Sequence, residues 1–236
     1  MSEIAISIEN LSKDFGNERV LKDVNVCFQR GQIHGIVGRN GSGKTVLMKC
    51  ILGFLTPSSG QVCVLDKVIG KDCDFAPRTG MMIETPGFLP GETGRNNLLW
   101  LTRLRGNANK ARVDEVITQV GLDPALKKTV SKYSLGMRQR LGIAQAILDD
   151  PEILILDEPM NGLDKNGVRN IRDLLLDLKA QGKTILLASH FAQDIDELCD
   201  SVCEMDQGVL YLTIHNADIP KSYANIQDES NFFIYN

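Results

Sequence analysis

Hydrophobic positions in this chain follow strand-like patterns towards both ends and helix-like patterns in the middle. Residues 4–8 and 20–28 alternate or cluster apolar side chains as short strands, with a polar turn around Gly16 and Asn17 between them. The run 32–37 is an apolar strand leading directly into a glycine-rich loop. Residues 45–55 then carry apolar side chains at helical spacing, closed by Gly53 and Pro57. Two further strands are predicted over 61–65 and 80–83. From about 94 to 148 strand alternation disappears and the segment is predicted helical. Leu98, Leu99, Leu101 and Leu104 form one pattern there, and Val113, Val116, Ile117 and Val120 another.

The strand–helix rhythm returns afterwards. Residues 152–156 form a continuous apolar run, the pattern of a strand buried on both faces of a parallel sheet. An amphipathic helix over 168–180, a second buried strand over 184–188 and a helix over 192–203 follow. Strand–helix–strand order at both ends predicts an α/β core with the central helices inserted into it. Beyond 208 the pattern predicts no particular element, and no internal repeat or low-complexity linker is visible.

Composition adds limits. A chain of 236 residues suits one large domain that can bury its core without disulfides or metals. The formal net charge of −4, with signs interspersed, argues against nucleic acid as the main partner. Six cysteines are scattered along the chain. Cys199 and Cys203 alone are close, at the spacing of one helical turn, and no nearby Cys or His pair completes a zinc set. They are expected to be buried thiols in a reducing compartment. The opening segment MSEIAISIENLSKDF carries acids and lacks an apolar core of signal-peptide length. No stretch approaches the roughly 20 apolar residues that cross a bilayer. The chain is therefore expected to be soluble and cytoplasmic, doing any membrane work through a partner.

Candidate chemistry begins at GRNGSGKT, Gly38 to Thr45, which matches the P-loop pattern with a strand before it and a helix after it. Gly38, Gly41 and Gly43 let the backbone turn tightly, so that consecutive N–H groups, those of Arg39, Asn40 and Ser42 among them, can meet phosphates. The helix N-terminus adds positive potential. Lys44 supplies a full charge and Thr45 a hydroxyl suited to Mg²⁺. By itself the loop implies only a nucleotide. ILILDEP, Ile153 to Pro159, ends an apolar strand in two carboxylates at the edge where ligands sit in open α/β sheets. Asp157 is placed to hold Mg²⁺ through water, and Glu158 to polarise an attacking water. In SKYSLGMRQRLGIAQAIL, Ser134 and Gly136 stand at the start of an amphipathic helix. Ordinary helix capping explains both, and so does phosphate binding at a helix N-terminus.

Together these segments resemble the nucleotide-binding subunit of ATP-binding cassette (ABC) transporters, over about residues 4–212. GRNGSGKT resembles the family's Walker A loop, YSLGMRQR its signature, ILILDEP Walker B, NGLD the D-loop, and Ser189-His190 the switch. The resemblance implies a P-loop NTPase, an ABC-type nucleotide-binding domain with a small antiparallel β subdomain and an inserted helical subdomain. The single domain would span 1–236, with the β and RecA-like core at about 1–87 and 149–215, the helical subdomain at about 88–148, and a tail at 216–236. The cofactors implied are ATP and Mg²⁺. Phe15 would stack on adenine, its alternative being a core phenylalanine. Asp164 would communicate across a dimer, although a helix N-cap is equally consistent with its chemistry. His190 would touch the γ-phosphate. Ser134 and Gly136 would act in trans on the ATP of a second subunit.

Two departures from the family stand out. The signature LSGGQ reads YSLGM here, with Leu135 and Met137 at its third and fifth positions. Glu84, in GMMIETPGF, stands where the family has glutamine; a carboxylate there could approach Mg²⁺ or its waters but would add repulsion near phosphate. With that glutamate, the chain most resembles subunits of bacterial exporters of the bacitracin-resistance and lantibiotic-immunity kind. The resemblance implies two cassettes, identical or not, closing on two Mg·ATP with Glu158 activating water. A separate integral membrane permease would be driven through a groove beside residues 84–100, at the inner face of the membrane. The alternative is a non-transport relative acting on nucleic acid or ribosomes. Such relatives usually carry a second cassette, a long coiled coil or zinc insertions, and none is visible here.

Overall fold

The computed structural model describes residues 3–84, 87–106, 108–189 and 192–215. In chain order its first elements are strands β1 (Ile4–Phe15), β2 (Glu18–Gln29) and β3 (Ile33–Val37), helix α1 (Lys44–Leu52), then β4 (Ser59–Val64), β5 (Lys67–Val68) and β6 (Thr79–Met82). Three helices follow, α2 (Gly94–Leu104), α3 (Lys110–Gln119) and α4 (Leu135–Ile147), with a short 3-10 turn at Val130–Lys132 before the last. The remainder is β7 (Ile153–Asp157), α5 (Lys165–Ala180), β8 (Thr184–Ala188), α6 (Ala192–Leu198), β9 (Ser201–Asp206) and β10 (Val209–His215).

These strands make two sheets. The smaller is antiparallel in the order β2-β1-β4-β5. The larger runs β10-β9-β3-β8-β7-β6, with every pairing parallel except that of β9 with β10. The apolar runs are continuous because the central strands are buried on both faces. From β7, Leu154 and Leu156 enter a core shared with α2 to α6, whereas Ile153 and Ile155 enter a second core beneath the antiparallel sheet and α1. β8 divides in the same way, Ile185 and Leu187 against Leu186 and Ala188. Successive residues of a strand face opposite ways, so one strand serves both cores.

The inserted helices follow β6 and precede β7. α4 approaches β6 so closely that a Cβ at Gly80 would overlap the Ala146 carbonyl oxygen, and only glycine fits there. Side-chain caps define the helix starts: Thr93 accepts from the Asn96 N–H and Asn109 from the Arg112 N–H.

The structure departs from the sequence expectation at 192–215. Ile195, Cys199 and Cys203 have helical spacing, yet α6 ends at Leu198. The Asp200 N–H donates to the Ile33 carbonyl at 2.7 Å, and the Asp200 carboxylate accepts from the Ile33 N–H at 2.8 Å and from Lys179 at 2.5 Å. That anchor on β3 turns the chain, and 201–206 enters the sheet as β9. β10 then completes a hairpin where the pattern predicted nothing, tied to β2 by the Lys22 N–H donating to the Gly208 carbonyl at 2.8 Å. Cys199 and Cys203 therefore share no helix face. Cys50, Cys199 and Cys203 are buried, but Cys27 is exposed and Cys63 and Cys73 are half-buried, so the expectation of buried thiols fits only three of the six.

Candidate functional site

β3 delivers residues 38–45 to the C-terminal edge of the parallel sheet, beside the ends of β7 and β8. At Gly38, φ is 150°, and a Cβ would overlap the Met205 carbonyl oxygen of β9. Glycine at that point lets the loop pass over the sheet. Gly43 is the N-cap of α1, and no side chain caps that end. The first N–H groups of a helix lack intrahelical partners and form a site of positive potential for an anion.

Lys44 is only 7% exposed, and its Nζ donates to the carbonyls of Gly38 at 2.6 Å and Arg39 at 3.0 Å. Burial lowers its pKa from the ordinary 10.5, while the Glu158 and Asp157 carboxylates act in the opposite direction. A buried cation set among carbonyl oxygens at a helix start favours a polyanionic ligand. Beside it, the Thr45 hydroxyl donates to Asp157 Oδ2 at 2.7 Å, joining α1 to the end of β7.

Glu158 follows with φ of 51°, a left-handed conformation that costs a non-glycine residue about 1–2 kcal/mol. Main-chain bonds hold it there, including one from the Asn161 N–H to its carbonyl at 3.1 Å. Its N–H donates to the Ala188 carbonyl at 3.0 Å, and its carbonyl accepts from Gln139 Nε2 at 2.7 Å. Gln139 lies on α4, whose link to the acidic strand has no sequence signal, because 19 residues separate the partners.

These groups border one cavity of about 710 Å³. Asn40, Gly41, Lys44 and Thr45 line it from the loop, Asp157 and Glu158 from the end of β7, and Gln139 and Leu135 from α4; Val20, Glu84, Asn161 and Gly162 also border it. Among the described residues of the lining, neither Ser134 nor Gly136 appears. Ser134 is the N-cap of α4, its Oγ accepting from the Met137 N–H at 3.2 Å. A Cβ at Gly136 would lie 2.8 Å from the Gly162 carbonyl oxygen. Asp164 caps α5 through the Gly167 N–H at 2.9 Å and stands 3.5 Å from Arg140. Phe15 is 45% exposed at the end of β1, with Lys13 Nζ 5.1 Å from its ring centroid, which removes the core alternative. Glu84 pairs with Lys49 of α1 at 2.7 Å. His190 lies outside the described residues. Its neighbour Ser189 donates to the buried Asp194 at 2.9 Å, and Asp194 in turn accepts from Arg172.

The residues present fit a Mg²⁺ ion bound together with phosphates. The described residues gather no group of three His, Cys, Asp or Glu side chains able to hold a metal. Mg²⁺ commonly takes only one or two protein oxygens, with phosphates and waters completing its shell. Thr45 and Asp157, already in contact, supply that chemistry.

Residues 21–161 match the family described as ABC transporter. The bacitracin transport ATP-binding protein BcrA of Enterococcus faecalis is 40% identical over 221 residues, 93% of this chain and 72% of that protein. The lantibiotic transport ATP-binding protein SrtF of Streptococcus pyogenes is 31% identical over 207 residues, 88% of this chain and 89% of that protein. A solved ATP-binding subunit of an ABC transporter superposes with a TM-score of 0.79 at 26% identity, over 87% of this chain and 88% of that one.

Proposed function

The chain belongs to the ABC transporter family, and from that premise we propose that it is the ATP-hydrolysing subunit of an exporter whose membrane permease is a separate chain. The observation that carries the reading is the meeting of Lys44, Thr45, Asp157 and Glu158 around one cavity. The reaction is ATP + H₂O to ADP and phosphate. The loop N–H groups and Lys44 bind the triphosphate, and the Glu158 carboxylate orients the attacking water and accepts its proton. Thr45 and Asp157 would hold Mg²⁺, which would supply charge neutralisation at the phosphate oxygens, and the Glu84 carboxylate, which lines the same cavity, could approach the ion or its waters.

Phe15 stacks on adenine from its exposed position on β1, and His190 acts at the γ-phosphate. Ser134 and Gly136 complete the site of a second, identical or related subunit, with Asp164 beside that interface. Residues 88–148 serve as the helical subdomain between the two parts of the β and RecA-like core, and the permease docks beside residues 84–100. Among the described residues no helix is long and apolar enough to cross a membrane, so the membrane step falls to that partner, at whose inner face the chain works. The names of the bacitracin and lantibiotic relatives point to a peptide antibiotic as cargo, and do not favour a partner of nucleic acid or ribosomes.

Replacing Glu158 by glutamine tests the catalytic core of this reading. ATP binding should persist within about twofold, turnover should fall by about 10²-fold or more, and an ATP-dependent dimer should accumulate in gel filtration. Turnover at the wild-type rate would remove Glu158 from catalysis.

A further inference from the structure

β6 and β7 are neighbouring parallel strands with Met82 opposite Leu156. Two residues further on, Glu84 and Glu158 reach the same sheet edge, both with left-handed φ, 58° and 51°. With Asp157, the last residue of β7, three carboxylates border a single cavity. The proposed ligand is itself strongly anionic, so each unbalanced carboxylate raises the electrostatic cost of binding it.

Lys44 offsets part of this charge from within the lining. A second cation approaches from α1. Thr45 and Lys49 are four residues apart on that helix and so lie on one face, a turn apart. Thr45 reaches Asp157 at 2.7 Å, and Lys49 Nζ reaches Glu84 Oε1 at 2.7 Å. The Lys49 and Glu84 side chains are 29% and 63% exposed, so the pair contributes little to folding stability. Its effect is on the field at the cavity. A neutral amide in place of Glu84 adds no net charge there, and neither does a glutamate held by a lysine.

We propose that Lys49 is a positioning residue for the reaction: it holds Glu84 as a charge-neutral pair, so that the additional carboxylate does not repel the phosphates. The proposal rests on the reading of this cavity as an ATP site. It also gives Glu84 a partner on α1, the helix that begins at the phosphate loop, and thereby ties the segment after β6 to that loop.

The test uses the full chain and Mg·ATP. Lys49→Met should raise KM for Mg·ATP about three- to tenfold at low salt, with a smaller effect at about 0.5 M salt, where exposed charges are screened. Glu84→Gln in the Lys49→Met background should return KM to within about twofold of wild type, because the unpaired charge is then gone. A merely structural role for Lys49 would not be rescued by that second change. An unchanged KM in Lys49→Met, or no recovery in the double variant, overturns the proposal while wild-type hydrolysis sustains the ATP-site reading. If the wild-type chain does not hydrolyse Mg·ATP and Lys44→Ala leaves its affinity unaltered, the site reading itself falls, and the proposal with it.

Discussion

Removing the Gln139 side chain, by substitution with alanine, takes away the side-chain anchor of the Glu158 backbone. The Gln139 amide donates to the Glu158 carbonyl at 2.7 Å; the Glu158 N–H bond to Ala188 at 3.0 Å and the Asn161 N–H bond to the Glu158 carbonyl at 3.1 Å remain. The left-handed backbone at φ 51° costs about 1–2 kcal/mol, and one hydrogen bond contributes about 0.5–1.5 kcal/mol net, so the two are of similar size. Without Gln139 the strain is less fully offset, and the Glu158 carboxylate spends less time where it can orient water. A loss of about 0.7–1.4 kcal/mol corresponds to a fall in kcat of about three- to tenfold. KM for ATP should stay within about twofold, because Lys44 and its loop make their contacts without Gln139. Steady-state phosphate release over a range of ATP concentrations separates the two constants. Gln139→Glu should be worse than alanine, since it sets an acceptor against the Glu158 carbonyl. A kcat within twofold of wild type in the alanine variant, or a change confined to KM, would refute the idea that Gln139 holds Glu158.

Two further predictions concern stability and thiol access. Asp194 is 1% exposed and accepts from Arg172 and Ser189, so Asp194→Ala leaves a largely buried guanidinium with only Glu197 as its ion-pair partner among the described residues. The expected loss is about 2–4 kcal/mol in urea unfolding, and a loss below about 1 kcal/mol would contradict the assigned network. Burial pushes the Cys50 thiol up to about 11 and Cys203 to about 12, and raises Cys199 further. A thiol-selective reagent at pH 8 should therefore modify exposed Cys27 in the native protein and reach those three only on unfolding. Four or more fast-reacting thiols would show that one of the buried cysteines is accessible.

The legible parts of the site are those whose chemistry is contiguous in the chain. A phosphate loop needs its glycines, lysine and hydroxyl within eight residues, bracketed by a strand and a helix, and β3 and α1 supply that bracket. The acidic strand is equally local: Ile153–Asp157 is apolar until its carboxylates, and it became β7 with one residue of adjustment at each boundary. Illegible contacts join distant segments. Lys49 and Glu84 are 35 residues apart, and Gln139 and Glu158 are 19 apart. Neither Lys49 nor Gln139 differs in sequence from an ordinary helix-surface residue. The helix expected through Cys203 failed for a related reason: an apolar period of four suits a helix face, but Asp200 found its partners on β3 and redirected the chain.

By itself, then, the sequence determined that this protein has an α/β core with inserted helices, a phosphate loop and an acidic strand end. Each of these follows from side-chain periodicity or from the donors that a bound phosphate and its metal demand nearby. The tertiary structure decided the strand order β10-β9-β3-β8-β7-β6, which depends on pairings between remote segments that local pattern does not encode. It also decided what surrounds the carboxylates. Parallel strands with helical crossovers gather residues from β6, β7, α1 and α4 at one sheet edge, and at that edge Lys49 meets Glu84 and Gln139 holds the backbone of Glu158.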